Sequence, residues 1–214
     1  MTDECFQAST RRRFGLRPLR PDIPAATHCQ NRKPDGSRCG ELLGDLCHHG
    51  DACETGGGSL RRHDGLRDTV AKHIASNLPA VVHIEQMIPA LNKQTEKGIL
   101  EARLDVVVTI GGVTYYVDVT VCNTASPDPS YEGACAHRDG HAALVREDKK
   151  RIRYDSRQLV PLLFELGGRI GPTGLAWLRR VYAQAPQALQ ALLHILSVQL
   201  QSHTASMAIA ASRG

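Results

Sequence analysis

The densest run of apolar, β-branched positions lies between Arg103 and Cys122, in two segments separated by Gly111 and Gly112. Valine, isoleucine, threonine and tyrosine favour strands. A Gly-Gly pair between two such segments suits a tight turn, because glycine adopts the positive φ angles that hairpin turns need. The pattern therefore predicts two antiparallel strands joined at the two glycines.

The remaining elements follow from the spacing of apolar residues and from the positions of proline and glycine. Glycines at 56–58 indicate a hinge, and Ser59 is a candidate N-cap for the helix that follows it. In chain order, the pattern predicts a helix over 61–78, a strand over 80–88, a polar connection over 89–102, a loop over 123–136, a helix over 137–154, a buried strand over 159–166, and two aliphatic helices from Pro172 that break near Pro186.

Two acids interrupt the paired strands. Asp105 and Asp118 lie near cross-strand register, and a carboxylate among valines costs several kcal/mol unless it is paired or bound to a metal. The hairpin therefore predicts a shared divalent cation, and the alternative is that the acids cap the strand ends or pair with arginines such as Arg103 and Arg153. Glu85, in the preceding strand, either joins this site or faces solvent beside His83.

Composition limits the class of protein. With 214 residues and 42% hydrophobic content, the chain is long enough for one compact domain and a small appendage. The net charge of +4 permits nucleic-acid binding. No apolar run reaches the roughly 18 residues of a membrane span and no signal-peptide pattern is present, so we expect an intracellular protein.

Basic residues are locally concentrated. Near the N-terminus they are Arg11 to Arg13 with Arg17 and Arg20, in a proline-rich lead over 1–27 that we expect to be flexible. The helix after the hinge carries Arg61, Arg62, His63 and Arg67 on one face, and the helix over 137–154 carries Arg146, Lys149, Lys150 and Arg153. Such faces are either solvated or directed at phosphate.

Potential metal ligands are clustered over 28–55, a segment with too little apolar content for its own core. The seven cysteines of the chain are odd in number and bunched, which favours metal ligation over disulfides. A bound Zn²⁺ would supply the missing folding energy. The predicted ligands are Cys29, Cys39, His48 and Cys53, with Cys47 and His49 as alternatives. A loop with reduced thiols is the competing interpretation.

A hairpin with two acids, followed by a helix with lysines, resembles the PD-(D/E)XK nuclease superfamily. In that superfamily a lysine usually stands two residues after the second acid, where this chain has Thr120. Five shorter motifs occur in order along the chain: His48-x4-Cys53, Arg62-His63-Asp64, Arg103-Leu104-Asp105, Asp118-Val119-Thr120-Val121 and Lys150-x2-Arg153-Tyr154.

Together these motifs resemble the restriction-like endonuclease domain of site-specific non-LTR retrotransposons, with its preceding zinc knuckle. The resemblance covers about residues 28–166, and the reverse transcriptase part of that family is missing from the sequence. Leu104 replaces the proline that usually precedes the first acid, and the first knuckle cysteine is displaced.

The resemblance implies an α/β fold, with a mixed sheet flanked by helices over 59–204, a zinc knuckle over 28–55 and a frayed tail over 205–214. By the same resemblance, Asp105 and Asp118 hold a catalytic Mg²⁺, and Lys150 is the migrated lysine, with Lys149 as its rival. Tyr154 would contact phosphate or position the lysine. DNA is the implied partner, at a surface that includes Arg62, His63, Arg67, Arg146 and Arg153.

The function that follows is a nuclear, Mg²⁺-dependent DNA endonuclease that nicks a target strand. The alternative is a nucleic-acid-binding module that keeps the fold and the basic surface without cutting.

Overall fold

The structure is a computed structural model that describes residues 1–14, 16–19, 21–22, 25–44, 46–125 and 128–213. Arg20 of the predicted basic cluster and Gly214 of the predicted tail lie outside these residues. The chain divides into two compact units. Unit 1 comprises Met1–Gly65 with Leu196–Gly214, and unit 2 comprises Leu66–Ile195.

The described part of the chain contains seven helices and six strands. The helices are α1 (Asp3–Arg13), α2 (His48–Ala52), α3 (Gly58–Asn77), α4 (Pro129–His137), α5 (His141–Arg153), α6 (Pro172–Val181) and α7 (Pro186–Arg213). The strands are β1 (Ala80–Met87), β2 (Lys93–Thr95), β3 (Gly98–Leu100), β4 (Arg103–Ile110), β5 (Val113–Cys122) and β6 (Leu159–Glu165), and a short 3-10 turn spans Pro89–Leu91.

Unit 2 is built on a four-stranded sheet in the order β1-β4-β5-β6. The first three strands are antiparallel, and β6 runs parallel to β5 after a crossover through α4 and α5. Helices α5 and α6 pack against β6. The predicted class, α/β with a mixed sheet flanked by helices, is confirmed.

The β4–β5 hairpin has the predicted turn. Gly111 and Gly112 have φ angles of 58° and 76°, in the left-handed region where a side chain would be strained. The ladder pairs Ile110 with Val113 and continues to Val106 and Val117. The paired positions end there, one residue short of Asp105 and of Asp118, so the two acids lie near cross-strand register.

Strand β6 lies at the sheet edge, yet all of its residues are buried. The apolar run had predicted a buried strand, and this is confirmed. Pro161 stands within it, paired in register with Asp118. An edge strand tolerates proline because one side of its backbone has no ladder partner.

Several predicted boundaries and loops are wrong. Helix α3 begins at Gly58, so Ser59 lies inside the helix and is not its N-cap. The predicted polar connection contains the small β2–β3 hairpin. The predicted loop over 123–136 contains α4, which Asp128 caps by accepting hydrogen bonds from the amides of Ser130 and Tyr131. An aspartate before a proline at the first helical position is a helix-start signal, which the Ser, Pro and Gly content obscured.

The predictions for both chain ends are also wrong. Residues 3–13 of the predicted flexible lead form α1, where Cys5 and Ala8 are buried with Ala205. The predicted frayed tail is the last part of α7, which continues to Arg213. Ala205, Ala208, Ala211 and Ser212 are buried there, because their small side chains let the helix approach its neighbours closely. No helix among the described residues has both the length and the hydropathy of a membrane span.

Candidate functional site

A metal-ligand cluster lies in unit 1. The Sγ atoms of Cys29, Cys39 and Cys53 and a ring nitrogen of His49 all lie within 4.8 Å of one another. Cys29 Sγ and Cys53 Sγ are 3.7 Å apart, Cys39 Sγ and Cys53 Sγ are 3.9 Å apart, and Cys39 Sγ lies 3.3 Å from His49 Nε2. Tetrahedral zinc with Zn–S bonds of about 2.3 Å separates its sulfur ligands by about 3.8 Å. The residues present therefore fit a structural Zn²⁺.

The predicted histidine ligand is wrong by one position. His48 and His49 are neighbours in α2, and adjacent helical residues point about 100° apart, so only one of them can face the thiols. His49 does so, while His48 is exposed. The rival cysteine is excluded as well, because Cys47 Sγ lies 3.5 Å from Ser212 Oγ and is not part of the cluster.

The loop that carries the first two ligands is held by antiparallel backbone contacts. Cys29 N donates to Glu41 O at 2.8 Å, Gly40 N to Cys29 O at 3.1 Å, and Cys39 N to Asn31 O at 2.8 Å. Gly40 has a φ of 74°, which allows the backbone to turn after Cys39.

Two of the thiols have opposite electrostatic environments. A hydrogen bond from the backbone amide of Glu41 is the largest cause that lowers the pKa of Cys39. Burial and the neighbouring thiols raise the pKa of Cys29 to about 12. A cation would offset this cost, because metal-bound cysteine is deprotonated.

The terminal helix supports this cluster. Gln30 N donates to Ala211 O at 2.8 Å and Ala26 N to Ser212 O at 3.0 Å. Ala208 and Ala211 are buried in one group with three of the predicted ligands and their neighbours Leu43 and Cys47. The backbone of residues 26–30 is therefore held by the last turns of α7, near the other end of the sequence.

A second constellation lies in unit 2, at the end of the β4–β5 hairpin. Lys150 Nζ lies 2.6 Å from Asp118 Oδ2, and the Asp118 residue is only 4% exposed. Asp105 Oδ2 accepts a hydrogen bond from Val119 N at 2.6 Å. The structure thus places Lys150 of α5 against Asp118 of β5, next to the strand that carries Asp105. Lys149, the rival lysine, is exposed.

Tyr154 belongs to the same neighbourhood. Its ring is buried with Leu104 and Leu159. Burial raises the pKa of Tyr154, and the nearby carboxylate of Asp118 raises it further. The phenol is therefore neutral at pH 7 and offers a donor. Thr120, whose position is taken by lysine in the superfamily, lies beside Asp118 with 3.4 Å between Oγ1 and Oδ2.

Glu85 is not part of this acid pair. Its carboxylate forms ion pairs with Arg67 and Arg103. Among the described residues, the only group of three or more candidate ligand side chains is the cysteine–histidine cluster, so Glu85 joins no such group with Asp105 and Asp118. Glu85 also has a φ of 56°, a strained value for a side-chain-bearing residue. The prediction that Glu85 shares the metal site is wrong.

Most of the predicted phosphate-facing residues are engaged within the protein. Arg62 is 5% exposed and donates to Thr204 Oγ1 at 3.3 Å. Arg67 is buried and forms ion pairs with Asp68 and Glu85. Arg153 donates to two backbone carbonyls and stacks over Tyr154, with 4.7 Å to the ring centroid. Arg62 and Arg67 are therefore buried and Arg153 is half-buried, and DNA binding by these three residues stays a prediction.

Two of the predicted residues keep more exposure. Arg146 is exposed on α5, on the same helix as Lys150. The side chain of His63 is 28% exposed and lies 3.2 Å from Asp64 Oδ1. Of the five predicted phosphate-contacting residues, Arg146 is therefore the one that is exposed.

Two buried carboxylates were not predicted. Glu147 accepts hydrogen bonds from Thr173 N at 3.1 Å and Thr173 Oγ1 at 2.5 Å, which caps α6. Glu165 accepts from Ala143 N at 3.2 Å near the start of α5. Both orient helices around the site, and their only sequence signal is an acid within an otherwise apolar or helical run.

A scan against protein-family models finds no family that matches this chain, and a search of curated proteins finds no similar sequence.

Proposed function

We propose that this chain is a Mg²⁺-dependent DNA endonuclease of PD-(D/E)XK type that nicks a target strand, and that a zinc centre supports its fold. The observation that carries the proposal is the 2.6 Å contact between Lys150 Nζ and Asp118 Oδ2. Asp105, on the adjacent strand, accepts a hydrogen bond from the amide of Val119 next to Asp118. Two acids on adjacent strands and one lysine from the next helix are the set that the sequence resemblance implies.

The fold class supports the same proposal. The two acids stand on an antiparallel hairpin, and the lysine comes from the crossover helix that leads into a parallel strand. A restriction-endonuclease-like architecture, derived from a retrotransposon polyprotein, accounts for the order of these elements. It also accounts for Thr120, because the lysine reaches Asp118 from α5 and is not needed on β5.

The residues present suit a hard cation. Asp105 and Asp118 would hold Mg²⁺, which accepts carboxylate oxygens and keeps several waters for substrate phosphate. When bound, Mg²⁺ supplies Lewis-acid polarisation of a phosphate and acidifies a water.

Each residue of the chain then has a separate role. Lys150 orients the attacking water and stabilises the negative charge that develops on the phosphate oxygens. The neutral phenol of Tyr154 donates a hydrogen bond to a phosphate or holds the lysine in place. Thr120 keeps the Asp118 carboxylate in orientation.

The test is conversion of supercoiled plasmid to the nicked form, with and without Mg²⁺. We expect Mg²⁺-dependent nicking by the wild type and a loss of at least about a hundredfold in Asp118→Asn. Lys149→Met is the matched control for Lys150→Met, since both remove one lysine from the same helix. Equal nicking by all four proteins would refute the proposal.

One observation favours the alternative of a binding module without catalysis. Asp105 and Asp118 each have a partner inside the protein, Val119 N and Lys150 Nζ, so the fold satisfies both acids without a cation. In that case plasmid DNA would bind with the same affinity in the wild type and in Asp118→Asn, and neither protein would nick it.

A further inference from the structure

Unit 1 contains a cavity of about 210 Å³ beside the cysteine–histidine cluster. The polar side chains that line it are Arg61, His203, Ser206, Asn31 and Thr55. They come from the knuckle loop, the first turn of α3 and the last part of α7. No carboxylate lines this cavity among the described residues.

The cavity lining carries the positive charge of Arg61 and no acidic side chain among the described residues. Within the part of the chain that the structure describes, the exposed side chain of Arg61 makes no hydrogen bond or ion pair. Burial lowers the pKa of His203, and the guanidinium groups of Arg62 and Arg61 lower it further. Asp51, the carboxylate that acts on the neighbouring Arg62, is itself paired with Arg12.

The donors around the cavity are varied in kind. Arg61 offers a planar fork of N–H groups, the neutral ring of His203 one N–H and Asn31 an amide NH₂. The hydroxyl of Thr55 is already hydrogen-bonded to the Cys39 thiol. The hydroxyl of Ser206 lies 3.2 Å from Cys5 Sγ, so part of its hydrogen-bonding capacity is already used. An anion with several oxygens satisfies such a set, and arginine binds phosphate oxygens in pairs.

We propose that this cavity binds a phosphoryl group, and that the group belongs to the backbone of a nucleic acid. The cavity is open enough for a polymer, because Arg61, Ser206 and Gly56 at its edge are exposed. The choice of nucleic acid as the source rests on the proposed function, whereas the binding of phosphate does not. The zinc centre then acquires a second role, since it positions Asn31 and Thr55 at an anion site.

The test uses the full-length, zinc-loaded protein in Mg²⁺-free buffer, where no cleavage can occur. Duplex DNA is titrated by fluorescence anisotropy at several salt concentrations, and inorganic phosphate by calorimetry. Arg61→Met should weaken DNA binding about tenfold. It should also reduce the slope of log K against log salt by about 0.9, the value for one lost phosphate contact.

Three further variants sharpen the test. Arg61→Lys keeps the charge and should keep the salt slope, and His203→Ala should weaken DNA binding without changing zinc content. Arg179→Met removes an exposed arginine of unit 2 and should bind DNA like the wild type.

Each outcome decides a separate point. Loss of both DNA and phosphate binding in Arg61→Met, with the control unchanged, supports the proposal. Loss of phosphate binding alone overturns nucleic acid as the source and leaves a free phosphate or a nucleotide. Unchanged binding of both ligands overturns the site. Because these readouts need no Mg²⁺, a failure to nick plasmid would refute the proposed nuclease without altering any of them.

Discussion

Lys150 Nζ lies 2.6 Å from Asp118 Oδ2, an ion pair that joins helix α5 to strand β5. The side chain of Asp118 is 6% exposed to solvent, whereas that of Lys150 is 28% exposed. Removal of the lysine therefore leaves a nearly buried acid without its cation, whereas removal of both charges leaves no such deficit.

The first prediction follows from this asymmetry. Lys150→Met should lower the free energy of unfolding by roughly 1–3 kcal/mol, the cost of a buried polar group that loses its partner. The double variant Asp118→Asn with Lys150→Met should recover part of that loss. Urea denaturation of the wild type, both single variants and the double variant measures the coupling. Additive losses would show that the two side chains do not interact.

The second prediction concerns the zinc ligands. His49→Ala and Cys53→Ser should each lower the zinc content of the purified protein, because each removes one of four ligand atoms within 4.8 Å of one another. His48→Ala and Cys47→Ser should keep the full zinc content, since neither residue belongs to the cluster. Elemental analysis after gel filtration measures the bound metal. Zinc loss in His48→Ala with retention in His49→Ala would reverse the assignment.

The third prediction concerns the last part of α7. Deletion of residues 205–214 should weaken zinc binding even though it removes no ligand. The deletion takes away the carbonyl acceptors of Gln30 N and Ala26 N and uncovers the buried cluster around Cys29. Competition with a chelating dye measures zinc affinity, and Arg213→Ala is the control because it keeps the helix. Equal affinity in the deletion and the wild type would contradict the packing described above.

The fourth prediction concerns His73 in unit 2. Its Nδ1 lies 2.8 Å from the hydroxyl of Tyr182, and burial lowers the pKa of His73 below its ordinary 6.5. Burial also raises the pKa of Tyr182, so this hydroxyl stays protonated and donates to the neutral ring. Below pH 6.5 the unfolded chain binds a proton at this position more readily than the folded chain. Stability should therefore fall as the pH is lowered through 6.5.

The measurement for this prediction is the free energy of unfolding from pH 7.5 down to 5.5. One histidine contributes a slope of at most about 1.4 kcal/mol per pH unit. His73→Gln should reduce the acid-side slope and leave a remainder from His203, whose pKa is also lowered. A variant slope identical to that of the wild type would show that His73 titrates normally in the folded protein.

The sequence contained enough information for the main elements of unit 2. The β-branched runs, the Gly111-Gly112 turn and the apolar strand at 159–165 each have local causes, namely side-chain shape, permitted φ angles and hydrophobic spacing. That Asp105 and Asp118 lie near cross-strand register follows from the turn length alone. The choice of Lys150 over Lys149 came from a resemblance, and the helix places Lys150 at Asp118.

What local pattern left open was settled by contacts between residues distant in sequence. Whether His48 or His49 faces the thiols depends on how α2 is rotated. Whether Arg62, Arg67 and Arg153 meet solvent depends on partners such as Thr204, Glu85 and the carbonyl of Glu101. Whether the two chain ends are helical or flexible depends on the packing of α1 against α7.

The sequence by itself determined the strands, the tight turn, the acid pair and the cysteine-rich segment, because each depends on the preferences of neighbouring residues. The tertiary structure alone decided which histidine faces the thiols, the ion pairing of Glu85 with arginines and the burial of Arg62 and Arg67. The physical reason is that burial and ion pairing are properties of a position in space. A charged side chain has the same local sequence signal whether it meets water, a carboxylate or a metal.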